Sequence, residues 1–130
     1  MPTEAQWEYA ARGGNKSCGF TYSGSNDFEE VAWHEDNSEE MTHPVARKKA
    51  NELGLYDMSG NVWEWCLDLY EIGYAADPEF LTDNKGSFRV NRGGSWYYTA
   101  KFCRPVVRDC DDPEFLDDDV GFRVVLVSVR

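Results

Sequence analysis

The run Val62-Trp63-Glu64-Trp65-Cys66-Leu67-Asp68-Leu69 constrains the fold more than any other part of the chain. Bulky apolar residues occupy every second position, which puts Trp63, Trp65, Leu67 and Leu69 on one face of an extended strand. Such a strand requires neighbours in a sheet and a layer that covers it. Residues 88–96 and the valine-rich residues 120–129 read as two further strands. The covering layer starts at Thr3-Glu4-Ala5-Gln6, which has the form of a capping box. Trp7, Ala10 and Ala11 then fall on one helical face, and Gly13-Gly14 ends the helix. Residues 15–49 are rich in Gly, Ser, Asn and acids, so they are expected to be irregular and pinned by Phe20, Tyr22, Phe28 and Trp33. A polar loop is expected around Pro78, Asp83-Asn84 and Gly86. Residues 97–119 show neither period and carry Pro105 and Pro113.

At 130 residues the chain is one domain or a large part of one. Hydrophobic residues are 42% and aromatics 15%, enough to build a core despite a net charge of −11. That charge repels nucleic-acid backbones and anionic membrane surfaces, so neither is expected as a partner. It permits cationic ligands and divalent metals. No apolar stretch reaches the ~18 residues of a membrane helix, so no membrane insertion is expected. Met1-Pro2-Thr3-Glu4 has no signal-peptide pattern, and the compartment stays open. Cys18, Cys66, Cys103 and Cys110 have no CxxC spacing, which argues against zinc. The histidines, His34 and His43, stand alone in the irregular third and are expected at the surface. Neither Ser59-Gly60-Asn61 nor Gly93-Gly94-Ser95 makes a nucleophile elbow, and Arg92-Gly93-Gly94 lacks the Lys-Ser/Thr of a phosphate loop.

Four ordered segments resemble one family. They are Pro2-Thr3-Glu4-Ala5-Gln6-Trp7-Glu8-Tyr9-Ala10-Ala11-Arg12-Gly13-Gly14, then Asn51-Glu52-Leu53-Gly54-Leu55-Tyr56-Asp57-Met58-Ser59-Gly60-Asn61-Val62-Trp63-Glu64-Trp65, then Arg92-Gly93-Gly94-Ser95-Trp96, and Gly121-Phe122-Arg123. Together they resemble the formylglycine-generating-enzyme (sulfatase-modifying factor) family. The resemblance implies an α+β, C-type-lectin-like fold, largely irregular, with short twisted antiparallel sheets. It also implies that residues 1–130 are the C-terminal portion of such a domain. The family's domains begin well before the match to Pro2, so the chain is a fragment or variant, or another chain covers that face.

The enzyme of this family uses a cysteine pair after the Gly-Gly-Ser to bind copper, and soft thiolates suit Cu(I). Here Trp96-Tyr97-Tyr98-Thr99-Ala100-Lys101-Phe102-Cys103-Arg104 holds one cysteine, and Cys110 falls where the enzyme keeps no ligand. The expectation is therefore a domain without catalysis. The resemblance further implies a structural calcium held by the Asp57 carboxylate, the Gly60 and Val62 carbonyls and the Glu64 carboxylate, a hard oxygen set. Glu64, between two tryptophans, wants a cation or several donors; the alternative is an arginine such as Arg92 or Arg123. Cys66 and Cys103 are either a disulfide or two buried thiols.

The skeleton Arg92-Gly93-Gly94-Ser95-Trp96, Cys103-Arg104, Arg108, Pro113, Gly121-Phe122-Arg123 resembles the variable region of diversity-generating-retroelement proteins. In these receptors adenine-directed mutagenesis rewrites binding residues from asparagine codons. Tyr97, Tyr98, Thr99, Phe102, Asp109, Cys110, Asp111, Asp112, Phe115, Leu116, Asp117, Asp118 and Asp119 are all reachable from such codons; Lys101 and Glu114 are not. Loop rings are costly to expose unless they face a partner, and Tyr gives large contact area at low entropic cost. Seven carboxylates against three basic residues over residues 97–119 give a negative rim. The expected ligand-binding surface comprises those residues, Lys101 included and Cys110 excepted, and the expected ligand is a protein or other macromolecule with a basic or polar face. An exported or cell-surface address accompanies that reading. The competing reading is a divergent enzyme or enzyme-associated domain of the same family.

Overall fold

The structure is a computed structural model that describes residues 1–70 and 88–128. The expected loop around Pro78, Asp83-Asn84 and Gly86 lies outside the described residues, as does Val129 of the expected last strand. The first helix, α1 (Glu4–Ala11), starts as its sequence dictates. The Thr3 side chain accepts from the Gln6 backbone N–H, and the Gln6 side chain accepts from the Thr3 N–H. Gly13, with φ 90°, turns the chain out of the helix. The long irregular segment holds one short helix, α2 (Phe28–Val31), capped by the Asp27 side chain. Aromatic packing pins this segment as expected: Phe28 meets Tyr22 and His34 edge-on, and Trp33 stacks on His43 at 3.7 Å. His34, expected at the surface, is 1% exposed and bonded to Glu29.

The strands are β1 (Trp63–Leu69), β2 (Arg89–Arg92), β3 (Arg108–Asp111) and β4 (Val120–Gly121). They form one four-stranded sheet in the order β3-β2-β1-β4. The β1–β2 and β2–β3 pairs are antiparallel, whereas β4 runs parallel to β1, so the sheet is mixed. Three expectations shift. The strand expected over residues 88–96 stops at Arg92, because Gly93 (φ 101°) and Gly94 (φ 72°) turn away from the ladder. The strand expected over residues 120–129 pairs only at Val120 and Gly121; beyond them no neighbouring strand is present among the described residues. Conversely, residues 97–119, which lack periodicity, contain β3 and a 3-10 turn at Ala100–Cys103. A four-residue strand is too short to announce itself by alternation.

The alternation along β1 is real, yet its best-covered side is the polar one. Cys66 and Val90 pack with Trp7, Ala11 and Met58 under α1. Glu64 accepts from the Trp7 indole, and Asp68 accepts from the Glu4 backbone N–H at 2.7 Å. On the other side Trp63 is buried against Tyr98, while Leu67 and Leu69 remain about half exposed. Arg92 ties β2 to α1 through Glu4 and Glu8 and donates to the carbonyls of Pro105 and Val107.

Candidate functional site

The sheet face opposite α1 carries a group of carboxylates. Asn91 on β2 pairs directly with Asp109 on β3, and paired residues project to one side. The Asn91 amide donates to Asp111 Oδ2 at 2.5 Å. Asp119 arrives at the mouth of β4, where its carbonyl accepts from the Trp63 N–H and its carboxylate from the Ser95 hydroxyl at 2.5 Å. Ser95 is available there because the Gly93-Gly94 turn folds the chain back. Asp117 and Asp118 lie beside Asp119, with one carboxylate oxygen from each within 4.8 Å of the others.

The charges disfavour one another. Burial raises the Asp111 carboxyl to about 6, and Asp109, Asp117 and Asp119 add to the effect. Burial also raises Asp109 and Asp119, the latter despite the Ser95 hydrogen bond. The Tyr98 phenol is raised by burial and then by Asp109, Asp119, Asp111 and Asp117. Four carboxylates and one phenol thus lie near enough to disfavour one another's negative charge, an arrangement suited to receiving positive charge.

The expected binding residues divide by depth. Tyr97 (65% exposed), Phe115 (73%) and Leu116 (98%) are open to solvent, as are Lys101, Asp117 and Asp118. Tyr98, Thr99, Phe102, Asp109, Asp111 and Asp112 are half-buried, and Asp119 is buried. Tyr98 sits at the junction, edge-on to Trp63, Tyr97 and Phe102. Lys101 lies over the Phe102 ring. Asp112 accepts from the Glu114 N–H and shapes the turn that carries Phe115. Sequence reasoning missed Asn91 and Ser95. An asparagine inside a short strand, flanked by Val90 and Arg92, is the signal that could have found the first.

The expected calcium ligands occupy another place. Asp57, Val62 and Glu64 line a cavity of about 380 Å³ together with Tyr56, Phe122 and Arg123. Gly60 instead forms the adjoining turn, its N–H donating to the Gly93 carbonyl. Arg123 donates to both oxygens of Glu64 at 2.7 Å, and Trp7 donates to Oε2 at 2.6 Å. Between the arginines weighed as partners, Arg123 takes Glu64 and Arg92 takes α1. One Asp57 oxygen receives the Ala46 N–H, and the other is buried with no partner. The set fits a hard cation in part: Asp57 has a free oxygen, whereas the Glu64 oxygens are engaged by a guanidinium.

All four cysteines are free thiols. Cys66 belongs to the cluster under α1 and Cys103 to a separate one with Val31 and Ala32. Burial pushes Cys66 and Cys103 up to about 12 and Cys110 to about 11. No copper-binding cysteine pair is present among the described residues, and these thiols are poor sources of thiolate. No helix among the described residues is long and apolar enough to cross a membrane.

The model for the sulfatase-modifying factor enzyme 1-like domain matches residues 1–127. The chaperone protein LppX of Paenibacillus barcinonensis is 39% identical over 96% of this chain and 48% of its own length. The formylglycine-generating enzyme of Streptomyces coelicolor is 32% identical over 95% of this chain and 45% of its own. Among solved structures, Treponema denticola variable protein 1 superposes with a TM-score of 0.78 and 39% identity, covering 94% of this chain and 45% of that one. The chain therefore spans about half the length of these two curated relatives. A chaperone, an enzyme and a variable protein share one scaffold, so function has to be argued from the site.

Proposed function

The chain belongs to the sulfatase-modifying factor enzyme 1-like family, and from that premise we propose that it is a ligand-binding module of the variable-protein type, without catalysis. It binds a protein or other macromolecule through the surface around Tyr97. The observation that carries this reading is a combination on one face. An outward ring at Tyr97 is backed by Tyr98, Trp63 and Phe102, and the carboxylates of Asp109, Asp111, Asp117 and Asp119 stand beside Tyr98. A rigid aromatic anchor beside unneutralised acids suits a partner with a basic or polar face. The copper route to oxidation has no cysteine pair to run on. An exported or surface address goes with this role.

Calcium at Asp57, Gly60, Val62 and Glu64 belongs to the same proposal as a structural ion that competes with Arg123 for Glu64. A further partner is needed at the C-terminal run. Val124 and Leu126 are 80% and 97% exposed, next to a groove formed with Trp7, Leu55 and Met58. Another segment of the domain, or another chain, is the proposed cover.

A displayed-library screen against exported and surface proteins tests the function, with Tyr97→Ala as control. A ligand that binds the wild type and loses the variant supports it; ligands indifferent to Tyr97 sink it. In the DNA, a nearby near-copy of the segment encoding residues 92–123, differing almost only at adenines, supports the variable-protein type; differences spread over all bases remove it. The competing oxidoreductase reading predicts tight Cu(I) binding with oxygen consumption on a cysteine peptide, and such turnover would overturn the present one.

A further inference from the structure

The cation that Glu64 receives in this fold is one of the chain's own. Arg123 lines the same cavity as Asp57, Val62 and Glu64. Its Nε and Nη2 each donate to one Glu64 oxygen at 2.7 Å, and Nη2 also donates to the Tyr56 carbonyl at 2.9 Å. A single nitrogen thus stands between a carboxylate oxygen and the backbone of the residue that precedes Asp57. Asp57 is near enough for its charge to favour the guanidinium, yet one of its own oxygens is buried with no partner. The arginine is carried by a lightly held segment. β4 ends at Gly121, and no backbone–backbone hydrogen bond to residues 124–128 is present among the described residues. Withdrawing Arg123 therefore moves a loose run and leaves the sheet in place.

We propose that Arg123 is a tethered competitor that sets how much calcium the Asp57 cavity needs before it fills, an inference that rests on the calcium reading above and goes beyond it. In the metal-free chain the guanidinium holds both Glu64 oxygens. It has to withdraw before an ion can use them. Buried Glu64 is then never left unpaired, because it exchanges one cation for another. The apparent calcium affinity is lowered by the fraction of chains in which Arg123 has let go. Such a site fills only where calcium is abundant, with a Kd of about 10⁻⁴–10⁻³ M, the range of extracellular modules. That range agrees with the exported address proposed above.

The test titrates the wild type and Arg123→Gln with CaCl2 by calorimetry, and follows the Arg123 Nε–H signal by NMR through the wild-type titration. Binding about tenfold or more tighter in Arg123→Gln is the expected result. The wild-type Nε–H signal should leave its clamped position in step with saturation. Equal or weaker binding in the variant overturns the competition, and so does a wild-type Kd in the micromolar range or below. An Nε–H signal unmoved at saturation does the same. In these three outcomes calcium itself still binds, so the calcium reading stands. Binding by neither protein, or binding that persists unchanged in Asp57→Ala, removes the calcium reading and this inference together. Should Arg123→Gln fail to fold, the wild-type signal and affinity decide alone.

Discussion

The Trp7 indole donates to Oε2 of Glu64 at 2.6 Å, the same carboxylate that Arg123 clamps through two further hydrogen bonds. Residues 57 and 59 positions away in sequence therefore meet at one buried side chain. The helix, the central strand and the C-terminal run are held at a single point.

Glu64→Ala strands both the Arg123 guanidinium and the Trp7 N–H. We expect a loss of about 3 kcal/mol in urea unfolding, in the range for breaking a buried pair from one side. Glu64→Gln keeps an acceptor for Trp7 and is expected to lose less. Equal loss in the two variants would show that charge contributes nothing here.

Gly94 has φ 72°, and a Cβ on it would come within 2.8 Å of Cys103 Sγ and 2.9 Å of the Phe102 carbonyl oxygen. Gly94→Ala is expected to cost about 3 kcal/mol or more, combining left-handed backbone strain with overpacking. Gly19 has the same φ and open space around it, so Gly19→Ala isolates the backbone share at about 1 kcal/mol. Comparable melts for the two variants would reject the close approach under Gly94.

Asp111 gives stability a defined pH dependence. Its folded value of about 6 lies above the ordinary carboxylate value of 3.8, so the fold favours the protonated form. The stabilisation is present at low pH and is lost as pH rises through 6. In metal-free buffer the melting temperature should rise from pH 7 to pH 5, by roughly 1 kcal/mol of stability after allowance for solvent screening. Below pH 4.5 the opposite trend from Glu8, whose carboxyl is held down by Arg12 and Arg92, sets in. Asp111→Asn should flatten the rise; an unchanged slope assigns it elsewhere.

Chelation tests the Asp57 ion. A chelator should lower the melting temperature, and Asp57→Ala should remove that response. A melt insensitive to chelation rejects calcium at Asp57.

Tyr97 and Tyr98 should behave differently although they are neighbours. Tyr97 is 65% exposed, so Tyr97→Ala should change stability by less than about 0.5 kcal/mol and act on ligand binding alone. Tyr98 packs edge-on against Trp63 and Phe102, so Tyr98→Ala should cost about 2 kcal/mol or more. A clean binding control is therefore the single Tyr97 variant.

Local chemistry was legible in the sequence. The Thr3–Gln6 capping box, the Gly13 stop and the alternation along β1 each depend on residues within a few positions, and they stand where the sequence puts them. The family was legible too, because glycines and tryptophans at fixed spacing report backbone turns and core volumes that few scaffolds share. Tertiary structure decided what local pattern cannot encode. Whether residues 120–129 extend a sheet depends on a neighbouring strand to complete the ladder, and after Gly121 none is present among the described residues. Which side of β1 is covered depends on where α1 docks, and the Trp7 indole and Glu4 amide draw it to the side carrying Glu64 and Asp68. Asn91 meets Asp111 across twenty residues only because β2 and β3 pair in one register. Hydrogen bonds between distant segments are fixed by the packing of the whole chain, which no single stretch specifies.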